Sequence, residues 1–132
     1  RFIVGVVIFY LGFYINRSSD SILKSLRERK SFLDQLESAE LEDTEDVYVD
    51  SRGREYRIPY GGLYKYVSSP NYFGETLIWV GWAIASWSLA GVSFVIFTAG
   101  NLWPRARENH KWYKEHFSNY PKERKNVIPF VY

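Results

Sequence analysis

Residues 68–88 read SSPNYFGETLIWVGWAIASWS, and a lone carboxylate, Glu75, stands at the mouth of a long apolar tract. Glu75 is the sole charged residue between Lys65 and Arg105. One membrane-crossing helix needs about 20 residues, and residues 66–103 supply nearly twice that, so two spans fit better than one. Arg52, Arg54, Arg57 and Lys65 precede the tract, and Arg105, Arg107, Lys111 and Lys114 follow it. Basic flanks favour the cytoplasmic side of a membrane. A hairpin of two helices puts both flanks there, with the turn expected near Ser86-Trp87-Ser88.

Working outward, FIVGVVIFYLGFYI at 2–15 carries no charge and reads as the last part of a further span. The chain has no Met and begins inside this run, which reads as a piece of a longer protein. NRSSDSILKSLRERK continues it as a helix leaving the membrane. The acid-rich stretch that follows, to Asp46, reads as a solvated surface segment. In VYVDSRGREYRIP two short β-leaning runs flank Asp50-Ser51-Arg52-Gly53, which has turn chemistry and predicts a small hairpin. Pro59 and Gly61-Gly62 then break regular structure. The second long helix is expected from about Leu89 through Trp103, bending at Pro104. The expected fold is thus an all-α integral membrane bundle of about three spans, at 1–16, 71–86 and 88–104, with a small cytosolic β-hairpin insert. Residues 17–70 form its cytosolic segment and 105–132 its cytosolic tail.

Charge distribution agrees with this layout. Residues 20–57 hold eleven acids and seven bases, residues 66–104 one acid and no base, and residues 105–125 seven bases and three acids. Such segregation marks a membrane protein with charged loops, although the net charge is only +2. Tyr10, Tyr14, Tyr64, Tyr66, Tyr72, Trp103 and Trp112 sit near the ends of the apolar runs, where amphipathic rings favour a membrane boundary. No Cys is present, so disulfides and Cys-ligated metals are excluded from this chain. His110 and His116 lack the spacing and the additional ligands of a metal set, and read as surface or phosphate-contact residues. There is no GxGxxG, no P-loop and no Ser-His-Asp motif.

Three helix ends converge on one side in this topology, each with polar residues at i, i+4, which places them on one helical face. Asn16 and Asp20 close the first run, with Arg27 two turns further on. Asn71 and Glu75 open the second. Arg105 and Asn109 close the third, and Tyr113 continues their stripe. Polar groups at membrane depth are costly and usually face a cavity or a partner. The competing reading of each pair is capping, with Ser69 or Asn71 as N-cap and Glu75 favoured by the helix dipole. Three pairs at one level favour a shared pocket. Arg27, Arg57 and Arg105 suit phosphate through the planar guanidinium fork, while Asn, Asp and Glu can read amide or ribose groups. A nicotinamide dinucleotide is one ligand with all these features.

INRSSDSILKSLR, YRIPYGGLYKYVSSPNYFGE, WVGWAIASWS and the ending RARENHKWYKEHFSNYPKERKNVIPFVY resemble the C-terminal region of steroid 5-alpha-reductases. The resemblance covers nearly all of 1–132 except about 31–53. It implies the membrane-embedded, NADPH-binding part of a multi-span endoplasmic reticulum enzyme. The reaction it implies is NADPH-dependent reduction of the conjugated C=C bond of a 3-oxo-Δ4 steroid or similar enone. A Glu and a Tyr that polarise the ketone would lie upstream, so no catalytic residue is expected in this chain. By motif match, Asn16, Asp20, Arg27, Asn71, Glu75, Arg105 and Tyr113 carry the cofactor role, with Tyr56, Arg57 and Asn109 beside them and no metal. The expected partners are a hydrophobic steroid or lipid substrate and membrane lipid, not nucleic acid. Glu75→Ala is expected to abolish NADPH-dependent turnover. Two departures stand out: Asn109 replaces a frequent His, and 31–53 is longer than the family's usual loop. Competing readings are a very-long-chain enoyl-CoA or polyprenol reductase, a membrane methyltransferase, and a non-catalytic membrane scaffold.

Overall fold

The computed structural model describes residues 1–35 and 47–132, the side chains of 29–35 excepted. The end of the expected solvated acidic segment, 36–46, lies outside the described residues. Three helices carry most of the chain: α1 (Phe2–Gln35), α2 (Pro70–Ser86) and α3 (Leu89–His116). Two short strands, β1 (Val47–Val49) and β2 (Glu55–Arg57), precede a short 3-10 helix, Gly62–Lys65. The expected helix leaving the first apolar run is an unbroken continuation of it, for α1 has 34 residues. Its length is about 50 Å at the standard rise. Among the described residues one helical stretch, Phe2–Glu28, is by itself long and apolar enough to cross a membrane. α2 has 17 residues.

α1 and α2 run antiparallel, and glycines set how closely they approach. Gly5 and Gly12 on α1 recur at a spacing of seven, as do Gly74 and Gly81 on α2. A seven-residue spacing keeps one face against a partner helix, and glycine lets the backbones meet. A Cβ at Gly12 would stand 2.6 Å from both the Gly74 carbonyl oxygen and the Ile78 nitrogen. At Gly81 it would meet the Gly5 oxygen at 2.6 Å. Hydropathy treats glycine as neutral, so this seam was invisible to it.

The turn expected at Ser86-Trp87-Ser88 is present. Trp87 takes a left-handed backbone (φ 49°, ψ 45°) and ends α2, and the Ser88 hydroxyl accepts from Gly91 N at 3.1 Å to start α3. The Trp79 and Phe94 rings then stack at 4.6 Å between the two helices, and Trp103 Nε1 donates to Thr76 Oγ1 at 3.3 Å. α3 stays helical through Pro104 to His116. Its outward face carries Leu89, Val92, Ile96 and Phe97, and that of α1 carries Phe2, Ile3, Val7 and Tyr10, all exposed.

The buried hydrophobic residues among those described gather at the polar end of the bundle. Ile58, Tyr64, Val67, Ala106, Phe117, Tyr120 and Val127 are buried there. The C-terminal segment is sewn to the chain before α2: Ser68 N donates to Lys125 O at 2.9 Å, and Lys125 N to Tyr66 O at 2.9 Å. Arg124, buried, lies 5.1 Å from the rings of both Tyr60 and Tyr120. This small core fixes the entry to α2.

The predicted hairpin is present as well. Val47 pairs with Arg57, Tyr48 with Tyr56 and Val49 with Glu55. Gly53 has φ +74°, and its N–H donates to Asp50 O at 3.0 Å. Aromatic packing docks the hairpin on α3, with Tyr48 and Tyr56 centred 5.5 and 5.0 Å from Trp112.

Candidate functional site

A cleft opens where the polar ends of α1, α2 and α3 meet the hairpin, and it has two adjoining lobes. The first, about 480 Å³, is walled by Tyr56 and Asp50 of the hairpin region, Tyr64, Ser68, Asn71 and Tyr72 before and within α2, and Asn109, Trp112 and Tyr113 of α3. The second, about 580 Å³, is walled by Leu23, Leu26 and Arg27 of α1, by Arg54, Glu55, Tyr56 and Arg57, and by Tyr113. Leu23, Arg54, Tyr56 and Tyr113 belong to both walls and form the waist between the lobes.

The two lobes differ in chemistry. The first offers amides and hydroxyls among aromatic rings. Burial pushes the Tyr64 and Tyr113 phenols above their ordinary range, so both stay protonated at neutral pH and able to donate. Among the described residues the second offers three guanidinium groups against one carboxylate, Glu55. Arg57 Nε is buried without a hydrogen-bond partner among the described residues. Such an orphaned cationic donor at the edge of a cleft fits an anionic ligand.

Of the residues expected from sequence, the structure brings Asn71, Asn109, Tyr56 and Tyr113 to the first lobe, and Arg27, Arg57, Tyr56 and Tyr113 to the second. Asn16 stands beside them: its Nδ2 donates to the main-chain oxygen of Asn71 at 3.1 Å, tying α1 to the first turn of α2. Asp20, Glu75 and Arg105 are not on the wall of either lobe; Asp20 and Arg105 are exposed and Glu75 is half-buried. Capping by a side chain is not how α2 begins, for Ser69 makes no side-chain cap bond.

Sequence reading missed three features of the site. Tyr48, Asp50 and Arg54 of the hairpin join its wall. Asp50 Oδ1 accepts from Arg52 N at 2.8 Å and Arg54 N at 2.9 Å, while Oδ2 accepts from Arg54 Nε at 2.9 Å. The Arg54 backbone N–H, then that of Arg52 and the Arg54 guanidinium, hold this carboxyl below its ordinary value. The third feature overturns the surface role expected of His110. It is buried, and its Nδ1 lies 2.5 Å from Ser68 Oγ, which lies 2.5 Å from Tyr120 Oη. Tyr120 stacks on Tyr113 of the waist, centroids 5.3 Å apart. His116 is likewise taken up in packing, stacked on Trp112 at 4.4 Å. No sequence spacing signals the Ser68 contacts, because the partners are 42 and 52 residues away.

Burial, followed by the positive charges of Lys114, Arg124 and Lys125, holds His110 below the ordinary 6.5. The fold therefore favours neutral imidazole. Between the folded value and 6.5 the unfolded chain binds more protons, so stability is full above pH 6.5 and is lost as pH falls through the folded value. Thermal unfolding in detergent should show a lower midpoint at pH 5.5 than at 7.5, and His110→Gln should flatten that difference. An unchanged slope in the variant would assign the effect to another group.

Comparison with known proteins shows the family of the chain. A family model described as 3-oxo-5-alpha-steroid 4-dehydrogenase matches residues 47–132. Steroid 5-alpha-reductase DET2 of Arabidopsis thaliana is 45% identical over 133 residues, covering 100% of this chain and 42% of the relative. The 3-oxo-5-alpha-steroid 4-dehydrogenase 1 of Rattus norvegicus is 43% identical over 130 residues, 98% of this chain and 42% of its own length. The Homo sapiens protein of the same description is 41% identical over 132 residues. The chain belongs to the 3-oxo-5-alpha-steroid 4-dehydrogenase family. It spans about 42% of the length of these curated relatives.

Proposed function

We propose that this chain is the cofactor-holding part of an NADPH-dependent reductase that saturates the conjugated C=C bond of a 3-oxo-Δ4 steroid or similar enone. The observation that carries the reading is the two-lobed cleft, with amides and protonated phenols in one lobe and three guanidinium groups in the other, on a chain of this family. A reduced dinucleotide has the matching polarity: a carboxamide at one end, a pyrophosphate in the middle and an adenosine, with an extra phosphate in NADPH, at the other.

In this reading Asn71 and Asn109 hold the carboxamide end, and Arg27 and Arg57 the phosphate-bearing end. When bound, the nicotinamide supplies the hydride, and the net reaction adds hydride at the β-carbon and a proton at the α-carbon of the enone. The chain's own residues bind, orient and exclude water. Asn16 fixes the start of α2 through the Asn71 carbonyl, and the Tyr48, Tyr56 and Trp112 rings wall the cleft. Contacts in a site from which water is excluded are stronger than in water. Asp20, Glu75 and Arg105 complete the cofactor set by motif match, and the groups that polarise the ketone belong to the upstream part of the whole protein.

The apolar outer faces of α1 and α3 support insertion in a membrane, since soluble monomers rarely expose apolar patches of this extent. The proposed setting is the endoplasmic reticulum membrane, with helical spans at 1–16, 71–86 and 88–104 and the cleft facing the cytosol. The test is NADPH oxidation by the whole protein in membranes, offered a 3-oxo-Δ4 steroid, a trans-2-enoyl-CoA and a polyprenol in parallel. Oxidation that depends on the steroid is the expected result. Oxidation with the enoyl-CoA or polyprenol alone would reassign the substrate, and NADPH binding without turnover of any would remove the reductase reading.

A further inference from the structure

We infer that Arg54, preset by Asp50 in the hairpin turn, is a clasp for the pyrophosphate bridge of the bound dinucleotide. The inference rests on the dinucleotide reading above and assigns a role to two residues outside the set that reading names. Among the described residues Arg54 is the one charged side chain on the walls of both lobes. A ligand whose carboxamide end lies in the amide lobe and whose far end lies among Arg27 and Arg57 must cross the waist with its middle. The middle of a dinucleotide is its pyrophosphate, so the group at the waist should be cationic.

The guanidinium is also held ready. Asp50 occupies Nε at 2.9 Å and takes the Arg54 and Arg52 backbone N–H groups as well. Among the described residues that leaves the two terminal nitrogens of the planar fork for an anion, and such a fork suits bidentate binding of phosphate. Fixing the side chain in advance lowers the entropy lost on binding. The Asp50 charge stays matched by its own three donors and does not oppose the phosphate at full strength. Gly53, with φ +74°, lets the tight turn form, and Tyr48 and Tyr56 pin the hairpin against Trp112, so the clasp is anchored to α3. Among the described residues Glu55 is the one carboxylate on the wall of the second lobe, and three arginines share that wall.

This placing separates Arg54 from Arg27 and Arg57. A group at the bridge serves NADPH and NADH alike, whereas a group beyond it reads the extra phosphate. Binding of NADPH, NADH and reduced nicotinamide mononucleotide to the purified whole protein in detergent, followed by tryptophan quenching, distinguishes them. Arg54→Ala should weaken NADPH and NADH by a common factor of about 10 to 100, the range for losing a charge-assisted contact. The mononucleotide, which has no pyrophosphate, should bind within about twofold of wild type. Arg54→Lys, which keeps charge without the fork, should fall between, and Asp50→Asn should lose about three- to tenfold. Arg27→Ala should lower NADPH affinity selectively. An Arg54→Ala protein that binds both dinucleotides as wild type does, or that loses NADPH alone, overturns the clasp and leaves the reductase reading standing. A wild-type protein that binds no dinucleotide overturns both.

Discussion

Leucine in place of Gly12 or Gly74 is expected to leave no folded protein, while Gly100→Ala is expected to be silent. The contrast follows from what each new side chain meets. At Gly12 the first added carbon already lies 2.6 Å from the Gly74 oxygen and the Ile78 nitrogen; at Gly74 it lies 2.5 Å from Asn16 N and 2.7 Å from the Gly12 oxygen. These are backbone atoms and cannot rotate aside, so α1 and α2 would have to separate. Overpacking a tight site costs about 1–3 kcal/mol where neighbours can adjust, and here they cannot, so more than about 3 kcal/mol is expected for leucine. At Gly100 an added Cβ meets nothing within 4 Å. Size exclusion in detergent with a helical melting curve gives the readout: a monodisperse wild-type-like peak for Gly12→Leu would refute the seam. Gly12→Ala, with a single methyl, should melt early rather than fail outright.

The seam has a functional side. Gly74 sits against Asn16, and Asn16 bonds the carbonyl of Asn71. Close approach of two backbones at Gly74 is therefore what delivers Asn71 to the cleft with its orientation fixed. Separation of α1 from α2 would loosen the site even in a chain that still folded.

Local chemistry was the legible part. Asp50 through Gly53 announced a turn, and Ser86-Trp87-Ser88 announced another, because each depends on residues a few positions apart. The polar stripes were legible in part, for a geometric reason. Residues four apart on a helix drift about 40° per step, so Arg105 and Tyr113 differ by about 80°. Asn109 and Tyr113 reach the cleft wall while Arg105 does not. Glu75, one turn after Asn71, is likewise not on the wall. The hairpin's share of the site was not legible, since a turn motif says where the chain reverses and not what it is laid against. Tyr48 and Tyr56 find Trp112 only through the tertiary fold. His110 failed for the same reason: two histidines in a basic segment look solvated until Ser68 arrives from 42 residues away.

The second large effect is expected at Asn71. Asn71 lines the amide lobe and its backbone is tied down by Asn16 at 3.1 Å, so in the proposed reading its amide serves as a held two-way reader of a carboxamide, able both to donate and to accept. Asn71→Ala should lower kcat/KM for NADPH-dependent reduction of a 3-oxo-Δ4 steroid by on the order of 100-fold, the usual cost of a reacting group held out of place. Asn71→Asp is the informative companion. Aspartate suits the N-terminal end of α2, where negative charge is favoured, so the variant should fold at least as well as wild type. It accepts but cannot donate, and half of the recognition is gone, so activity should fall nearly as far as in Asn71→Ala. Loss of activity with retained melting temperature in Asn71→Asp would place the residue at the cofactor. Activity within about threefold of wild type in both variants, well short of the expected 100-fold, would remove Asn71 from the site. Glu75→Ala completes the comparison. Loss of turnover there, one helical turn from the wall, would mean that the bound cofactor reaches past Asn71 along α2; full activity would confine recognition of the carboxamide to the asparagine.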